Sequence, residues 1–263
     1  MTDKYEIWSG IYDQVYSDVV EDVEFYLQHS KLANGPILEL GCGTGRITIP
    51  ILDEGFDISG LDSSQSMMQT LQNKTNLNQK ATSGVFMIGN MINAGKLFDR
   101  KFKLIIAPYR GFQSLLTIPE QEECLIGLRN ILDKDHKVII DFFTPSIQMF
   151  DQDPKKMYKV KEITDPESKI TRSVWHRTDV CLSDQTLKVE IKIEVSQNGF
   201  IKESHYAPFS LRYTYPQEAK YLFQYCGYEI IKVLGDYKGN PHSDLDQDMI
   251  WIIRKQENRH VRI

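Results

Sequence analysis

Three glycines at alternate positions, Gly41, Gly43 and Gly45, directly follow the buried-looking run at 37–40. A helix-compatible apolar segment at 47–52 comes next. This order predicts a buried strand, a tight turn and the start of a helix. Glycine lets the backbone approach a ligand that a Cβ atom would exclude, and the N–H groups of a helix start attract polar or acidic ligands. The stretch therefore predicts an α/β fold with a ligand-binding turn.

The spacing of the glycines separates two kinds of nucleotide site. A dinucleotide fingerprint reads G-x-G-x-x-G and would need a glycine at position 46, where this chain has Arg46. A nicotinamide-dependent oxidoreductase is therefore disfavoured. The plain alternative is a turn without a ligand, but three alternate glycines are more than such a turn needs.

Composition excludes several classes of function. The chain has 263 residues, a net charge of −5, four scattered cysteines and six histidines. The negative charge and the lack of a basic stripe argue against a nucleic-acid surface. The cysteine and histidine spacings predict neither a disulfide framework nor a metal site. No apolar leader or membrane-length run is visible, so we expect a cytoplasmic protein that does not span a membrane.

The hydrophobic period changes twice along the chain. Helices and apolar strands alternate over 1–150 and again over 211–263, which predicts one α/β core. Between them, strict alternation such as Leu187-Lys188-Val189-Glu190 predicts half-exposed antiparallel strands, separated by turn residues. We therefore expect an inserted antiparallel β lobe at 151–210. Its apolar face could cover a substrate cleft or pack against a second subunit. The sequence is therefore consistent with a monomer and with a homodimer.

The run from Glu39 to Gly45, Glu-Leu-Gly-Cys-Gly-Thr-Gly, resembles motif I of the class I S-adenosylmethionine (SAM) dependent methyltransferases. Tyr12, Asp13 and Tyr16 resemble the "Y-D-x-x-Y" helix with which that family lids its pocket. The resemblance covers about 5–145 and 214–255. It implies a Rossmann-like seven-stranded sheet flanked by helices, with SAM as cofactor, S-adenosylhomocysteine as product and no metal. The inserted lobe resembles amino-sugar and peptide N-terminal N-methyltransferases of natural-product pathways.

Asp62 is the strongest cofactor candidate outside the glycine turn. An acidic side chain at the end of the second strand accepts hydrogen bonds from ribose hydroxyls, which indicates adenosine without saying which cofactor. The stretch from Asp62 to Met68 resembles the family's "D-x-S-x-x-M-L", which implies Met67 near the adenine; ordinary core packing is the alternative. Asn90 stands where the family has Asp, and its amide oxygen could still accept from the adenine amine. The full expected cofactor set is Glu39, Gly41, Cys42, Gly43, Gly45, Arg46, Asp62, Ser63, Met67, Asn90, Met91, Ala107 and Tyr109.

The acceptor site should lie beyond the carboxyl end of the fourth strand. The loop at 108–115 resembles the family's "P-F-N-S-F-Q-H-L", with Arg110 in place of Asn. Arg110 could bind a substrate carboxylate or pair with a nearby acid such as Asp13, and Asp141 could cap a loop or anchor a substrate amine. We expect Tyr12, Tyr16 and Arg110 to act in catalysis; the expected substrate contacts are Trp8, Tyr109, Phe112, Asp141 and Trp175.

The expected reaction is in-line transfer of the SAM methyl group to an acceptor. The protein then needs mostly to orient the acceptor and exclude water. Oxygen acceptors generally need a base such as His, which the core loops lack, whereas a neutral amine needs less help. The sequence therefore favours an amine of a small molecule or modified peptide. An O-methyltransferase and a SAM-binding protein without transfer activity stay as alternatives.

Overall fold

A computed structural model describes residues 5–16, 18–77, 84–243 and 246–256. Its helices are α1 (Glu6–Val15), α2 (Glu21–Ala33), α3 (Thr48–Asp53), α4 (Gln65–Leu77), α5 (Ala94–Leu97), α6 (Ile118–Ile131), α7 (Ile147–Phe150) and α8 (Pro216–Tyr225). Its strands are β1 (Ile37–Leu40), β2 (Ile58–Asp62), β3 (Phe86–Ile88), β4 (Phe102–Ala107), β5 (Leu132–Phe143), β6 (Tyr158–Thr164), β7 (Ile170–Cys181), β8 (Thr186–Gln197), β9 (Phe200–Arg212), β10 (Tyr228–Leu234) and β11 (Asp248–Lys255). Short 3-10 turns occupy Met91–Asn93 and Gly111–Ser114.

The main sheet has seven strands in the order β10-β11-β5-β4-β1-β2-β3. Strands β1 to β5 pair in parallel, while β11 runs antiparallel to both β5 and β10. Helices cover both faces, which is why β1 and most of β4 are buried without alternation. The predicted α/β core with a Rossmann-like seven-stranded sheet is confirmed, and its last two strands form an antiparallel hairpin.

Strand order places the site-forming loops together. The order reverses between β1 and β4, and ligands of open α/β sheets lie beyond the carboxyl ends of the strands at such a switch point. The glycine turn after β1 and the loop after β4 leave the sheet at this point. The hypothetical Cβ of Gly41 would lie 3.9 Å from the Cα atom of Gly111, so the two loops touch.

Some boundaries differ from those that the sequence predicts. Apolar residues at helical spacing predict a helix over 5–31, whereas the structure has two helices there, α1 and α2. The polar run at 73–83 predicts a loop, but α4 continues to Leu77; positions 78–83 lie outside the described residues. Residues 133–135 predict a turn before the fifth strand, whereas β5 begins at Leu132; its pairing with β4 skips from Leu132 to Lys137, and Asp135 is left-handed with a φ of 61°.

The inserted lobe is a separate antiparallel sheet in the order β6-β7-β8-β9. Alternation along its strands gives it one apolar face, as the sequence predicted. That face packs on α1 and on Met67 of α4; the buried members of this cluster are Trp8, Val15, Met67, Val174, Ile191, Ile193 and Ala207. Helix α1 is therefore held between the lobe and the core.

No helix in the described part of the chain is long and apolar enough to cross a membrane. Within the same residues, no group of three or more His, Cys, Asp or Glu side chains is arranged to hold a metal ion.

Candidate cofactor and acceptor site

The three glycines of the turn after β1 have different structural roles. All three have positive φ angles, at 72° for Gly41, 53° for Gly43 and 91° for Gly45. A Cβ atom on Gly43 would meet only the Gly41 carbonyl oxygen, 4.0 Å away, so open space lies above this residue. A Cβ atom on Gly45 would clash with Leu71 and Ile49. Gly43 therefore leaves room for a ligand, whereas Gly45 allows close packing of α4 against the turn.

Asp62, at the end of β2, fixes the conformation of this turn. Its Oδ2 atom accepts the Gly43 N–H at 2.8 Å, and its Oδ1 atom accepts the Ser64 N–H at 2.8 Å. These two bonds fasten the glycine turn and the start of α4 to the end of β2. The sequence placed Asp62 near the glycine turn without indicating the direct bond between them.

Glu39 lies within β1 and is 3% exposed. Its Oε2 atom accepts a hydrogen bond from the Thr48 hydroxyl. Burial raises the pKa of Glu39 from its ordinary 4.5 to about 8, although the Thr48 bond opposes the shift. The side chain therefore supports the first turn of α3 and is largely protonated at neutral pH.

Arg46 is held by a partner that sequence reasoning missed. Its guanidinium binds Asp22 of α2 through two hydrogen bonds of 2.6 and 2.7 Å, and it donates to the Val19 carbonyl at 3.1 Å. Asp22 is fully buried. Bidentate pairing of this kind fixes the orientation of both groups. Arg46 also lies 5.0 Å from the centre of the Tyr109 ring.

Helix α1 is tied to the glycine turn by polar contacts. The Thr44 hydroxyl donates to Asp13 Oδ1 at 2.7 Å. Lys74 of α4 lies 2.5 Å from Asp13 Oδ2 and donates to the Thr44 carbonyl at 2.9 Å. These contacts join α1, the turn and α4, so the position of the helix depends on the conformation of the turn.

Four aromatic side chains meet beside this junction. The ring of Tyr16 lies 4.7 Å from Tyr12, 5.9 Å from Trp8 and 5.3 Å from Tyr109. Burial raises the pKa of Tyr12 to about 12 and also raises the pKa values of Tyr16 and Tyr109. The phenols are therefore neutral at physiological pH. The structure thus brings together Trp8, Tyr12, Tyr16 and Tyr109, which the sequence had assigned to one site.

Asp141 shapes the loop after β4. Its oxygens accept the backbone N–H groups of Tyr109 and Arg110, both at 2.6 Å, and the hydroxyls of Tyr26 at 3.2 Å and Tyr237 at 2.9 Å. Tyr109 and Arg110 have positive φ angles of 48° and 66°, which non-glycine residues rarely adopt. Of the two roles left open for Asp141, the structure shows the loop cap. The substrate contact is not what this geometry provides, because the side chain is 1% exposed and four donors surround it.

Two other expected substrate contacts point elsewhere. Phe112 is fully buried and stacks on Phe142 in the main core. Trp175 neighbours Val174, which lies on the face packed against α1, so strand alternation puts Trp175 on the opposite face. There its Nε1 donates to Glu194 at 3.1 Å. An aromatic residue gives the same sequence signal in a core and in a cleft, so the sequence does not distinguish these positions from a substrate contact.

The remaining cofactor candidates surround the turn at different depths. Met91 lies beneath Gly41, Cys42 contacts the Met68 sulfur at 3.5 Å, and Ala107 is a buried strand end. Met67 packs with α1 and the lobe, the core alternative considered above. Asn90 is exposed, and its Oδ1 atom accepts a hydrogen bond from the Ile92 N–H at 3.0 Å. Ser63 is also exposed and lies on the turn before α4.

Arg110 does not pair with Asp13. Its guanidinium lies 3.6 Å from Asp248 of β11 and between 5.4 and 5.6 Å from the rings of Tyr109 and Phe143. Asp248 is a second residue that sequence reasoning missed. No local signal marks it, because only the antiparallel pairing of β11 with β5 brings it to this edge.

A cavity of about 450 Å³ opens on the α2 side of Arg46. Its walls are Asp13, Tyr16, Val19, Val20, Val23, Glu24, Arg46 and Pro50. Asp62 and Gly43 do not line it, so the cavity and the glycine turn share Arg46 as a boundary but are different spaces.

Part of the chain resembles known proteins in sequence. Residues 37–135 match the family described as "Methyltransferase domain". A segment of 76 residues is 33% identical to YqeM of Bacillus subtilis (strain 168), a protein provisionally named a methyltransferase; the match spans 28% of this chain and 31% of that protein. The chain thus aligns with less than a third of the length of this relative.

Two solved structures share the whole architecture. The CcbJ methyltransferase of Streptomyces caelestis superposes with a TM-score of 0.75 at 23% identity, over 90% of this chain and 94% of its own. The SAM-bound amino pentose methyltransferase CalS10 of Micromonospora echinaspora gives a TM-score of 0.70 at 14% identity, over 94% and 97%. At these identities the likeness shows the fold, including the inserted lobe.

Proposed function

We propose that this chain, which carries a methyltransferase domain at 37–135 on the fold of SAM-dependent methyltransferases, transfers the methyl group of SAM to an amine nitrogen of a small molecule or modified peptide.

The turn suits SAM in shape and chemistry. The open space above Gly43 would admit a ligand close to the backbone, and Asp62 would accept hydrogen bonds from ribose hydroxyls. Met91 and Asn90 would border the adenine end. Bound SAM supplies a methyl group on a sulfonium sulfur, which is already electrophilic.

The aromatic cluster is the observation that favours an amine. An amine gains positive charge as it accepts a methyl group, and the faces of neutral aromatic rings stabilise such charge. Tyr12, Tyr16 and Tyr109 have raised pKa values, so they stay neutral and are poor bases. Among the described residues, no histidine hydrogen-bonds or stacks with these three tyrosines. This environment suits a nucleophile that needs little deprotonation.

The protein itself positions the amine and excludes water from the site. Asp13 and Thr44 hold α1 against the turn, and the lobe covers the other side of α1. A neutral amine would use its lone pair to form the new N–C bond while the methyl–sulfur bond breaks and sulfur keeps that electron pair. The proton of the resulting ammonium leaves to solvent or to a nearby carboxylate.

A labelled-methyl screen tests the proposal. Protein and methyl-labelled SAM are incubated with matched panels of amines, phenols and carboxylic acids, and the products are located by mass spectrometry. We expect label on nitrogen in the amine panel. Label on oxygen only would contradict the choice of nitrogen, and SAM binding without transfer to any panel would favour a binding protein.

A further inference from the structure

The chain contains two Arg–Asp pairs next to the Tyr109 ring, and they are built differently. Arg46 and Asp22 form two short bonds in a buried setting, with side chains 13% and 0% exposed. Arg110 and Asp248 are linked by one contact of 3.6 Å, with side chains 37% and 32% exposed. A loose, half-exposed pair contributes little to stability. A ligand can therefore separate Arg110 from Asp248 far more easily than Arg46 from Asp22.

The backbone that carries Arg110 and Asp248 is nevertheless held in place. Asp141 holds the backbone of Tyr109 and Arg110 in its left-handed conformation, and the rings of Tyr109 and Phe143 flank the guanidinium. Asp248 is the first residue of β11 and is paired with Phe143 of β5. Both charges thus stand on anchored backbone at the carboxyl edge of the sheet, where ligands of this architecture lie.

If Arg110 and Asp248 were separated and no ligand group took the place of either partner, each charge would remain partly desolvated. Burial raises the pKa of Asp248, which Arg110 opposes, so the carboxylate benefits from a positive or hydrogen-bond-donating partner. A ligand that carries a carboxylate and an amine on neighbouring atoms would satisfy both residues. Its carboxylate would form charge-assisted bonds with Arg110, and its amine N–H groups would donate to Asp248.

We propose that Arg110 and Asp248 form the acceptor subsite and that the acceptor is a zwitterionic amino acid. This inference builds on the proposed function, because it specifies the class of amine. Tyr109 connects the two halves of the site, since its ring lies near both Arg46 and Arg110. Asp248 would orient the ammonium group through its N–H donors. One proton then leaves to solvent, and the lone pair of the resulting neutral amine forms the N–C bond while the methyl–sulfur bond breaks and sulfur keeps that electron pair.

The test compares acceptors that differ only in the carboxylate. The probes are the common L-amino acids, their methyl esters and the corresponding decarboxylated amines, each offered with labelled SAM. We expect kcat/KM for the best amino acid to exceed that of its ester and its amine by about 10- to 100-fold, the worth of a charged hydrogen bond.

Arg110→Gln should remove this preference while leaving SAM affinity within about twofold. Asp248→Asn should weaken use of amino acid and ester alike, because both keep the amine.

Lys96→Gln provides the matched control, because it removes another partly exposed ion pair, with Glu123. It should leave the preference unchanged. Thermal melting of each variant checks that it is folded. Equal use of acids, esters and amines by the wild-type protein would overturn the inference, as would a preference that survives in Arg110→Gln.

A binding measurement separates this inference from the proposed function. If no compound is methylated, calorimetric titration of the amino acid panel still decides the subsite. Binding by wild type that is lost in Arg110→Gln supports the subsite even though the proposed transfer has failed. Absence of amino acid binding in the presence of SAM overturns the inference.

Discussion

The Thr44 hydroxyl donates a hydrogen bond to Asp13 Oδ1 at 2.7 Å and so ties helix α1 to the glycine turn. Thr44 is 1% exposed, and Lys74 reaches both partners of this bond. A change in the conformation of the turn should therefore change the position of α1, the helix that carries Trp8, Tyr12 and Tyr16. The cofactor side and the acceptor side of the proposed site are linked through this contact.

Breaking the contact should loosen α1. Thr44→Val keeps the shape of the side chain but removes the donor, at an expected cost of about 1 kcal/mol. Hydrogen exchange measured by mass spectrometry should then show amide opening within 6–15 that is about fivefold more frequent. Ser9→Ala is the control, because the Ser9 hydroxyl donates to the Glu6 carbonyl within the same helix. Unchanged exchange in Thr44→Val would show that the remaining contacts of α1, including the Asp13–Lys74 ion pair, hold the helix without this bond.

Asp62 should be essential for SAM affinity. Asp62→Ala removes the proposed ribose acceptor and the bond to the Gly43 N–H, so we expect SAM binding to weaken by roughly 1–3 kcal/mol. Calorimetry gives the affinity. Asp57→Ala serves for comparison, since Asp57 lies at the opposite end of β2 and pairs with Arg100. Equal affinities of a folded Asp62→Ala protein and the wild type would place the ribose elsewhere.

Glu39 should make stability depend on pH. Its folded-state pKa of about 8 lies above the ordinary 4.5, so the folded protein binds a proton that the unfolded chain has released between these values. The contribution to stability is fully present below about pH 4.5 and is lost as pH rises toward 8, at about 1.4 kcal/mol per pH unit.

Denaturant unfolding from pH 5 to 8 measures this dependence. Glu39→Gln keeps an acceptor for Thr48 and cannot ionise, so its stability should fall less steeply than that of the wild type. The exposed Glu54→Gln should follow the wild type. Parallel curves for wild type and Glu39→Gln would mean that Glu39 is not the proton-binding group.

Tyr12 and Tyr16 should affect turnover more than SAM binding. Tyr12→Phe and Tyr16→Phe keep the aromatic rings of the cluster and remove only their hydroxyls. We expect kcat to fall by about tenfold, comparable to one lost hydrogen bond, with a smaller change in SAM affinity. Tyr221→Phe, on the exposed face of α8, is the matched control. A loss of SAM affinity equal to the loss of turnover would move these tyrosines to the cofactor.

Asp141 should be needed for stability as well as for the loop. Asp141→Asn directs an amide NH₂ group at donors that now meet a carboxylate, at about 1–3 kcal/mol for each donor left unsatisfied. Tyr237→Phe removes one of the four donors and should cost less. Unfolding free energies in the order wild type, Tyr237→Phe, Asp141→Asn are expected. The reverse order of the two variants would contradict the assignment of Asp141 as the cap.

Much of the fold follows from local patterns. The glycine turn, the apolar strand β4 and the alternating strand β8 are local signals, and the structure contains all three. The break between α1 and α2 escaped prediction because apolar residues continue through it at helical spacing. The opposite difference occurs at Asp135. The sequence around it predicts a turn, but the structure places this residue inside strand β5.

The site was less predictable than the fold. Asp62 and Tyr16 belong to recognisable local motifs, but their partners do not. Asp22 and Asp248 have ordinary surroundings in sequence and gain their roles only when α2 meets Arg46 and when β11 pairs with β5. Trp175 shows a different limit, because its side-chain chemistry suits a cleft while strand alternation places it on the face of the lobe opposite to α1.

Calorimetric titration of the purified protein with SAM tests the central claim most directly. The glycine turn, Asp62 and Arg46 predict saturable binding of SAM with one site per chain, and no heat with NAD under the same conditions. Absence of binding heat with SAM, or saturable binding of NAD in its place, would contradict the account.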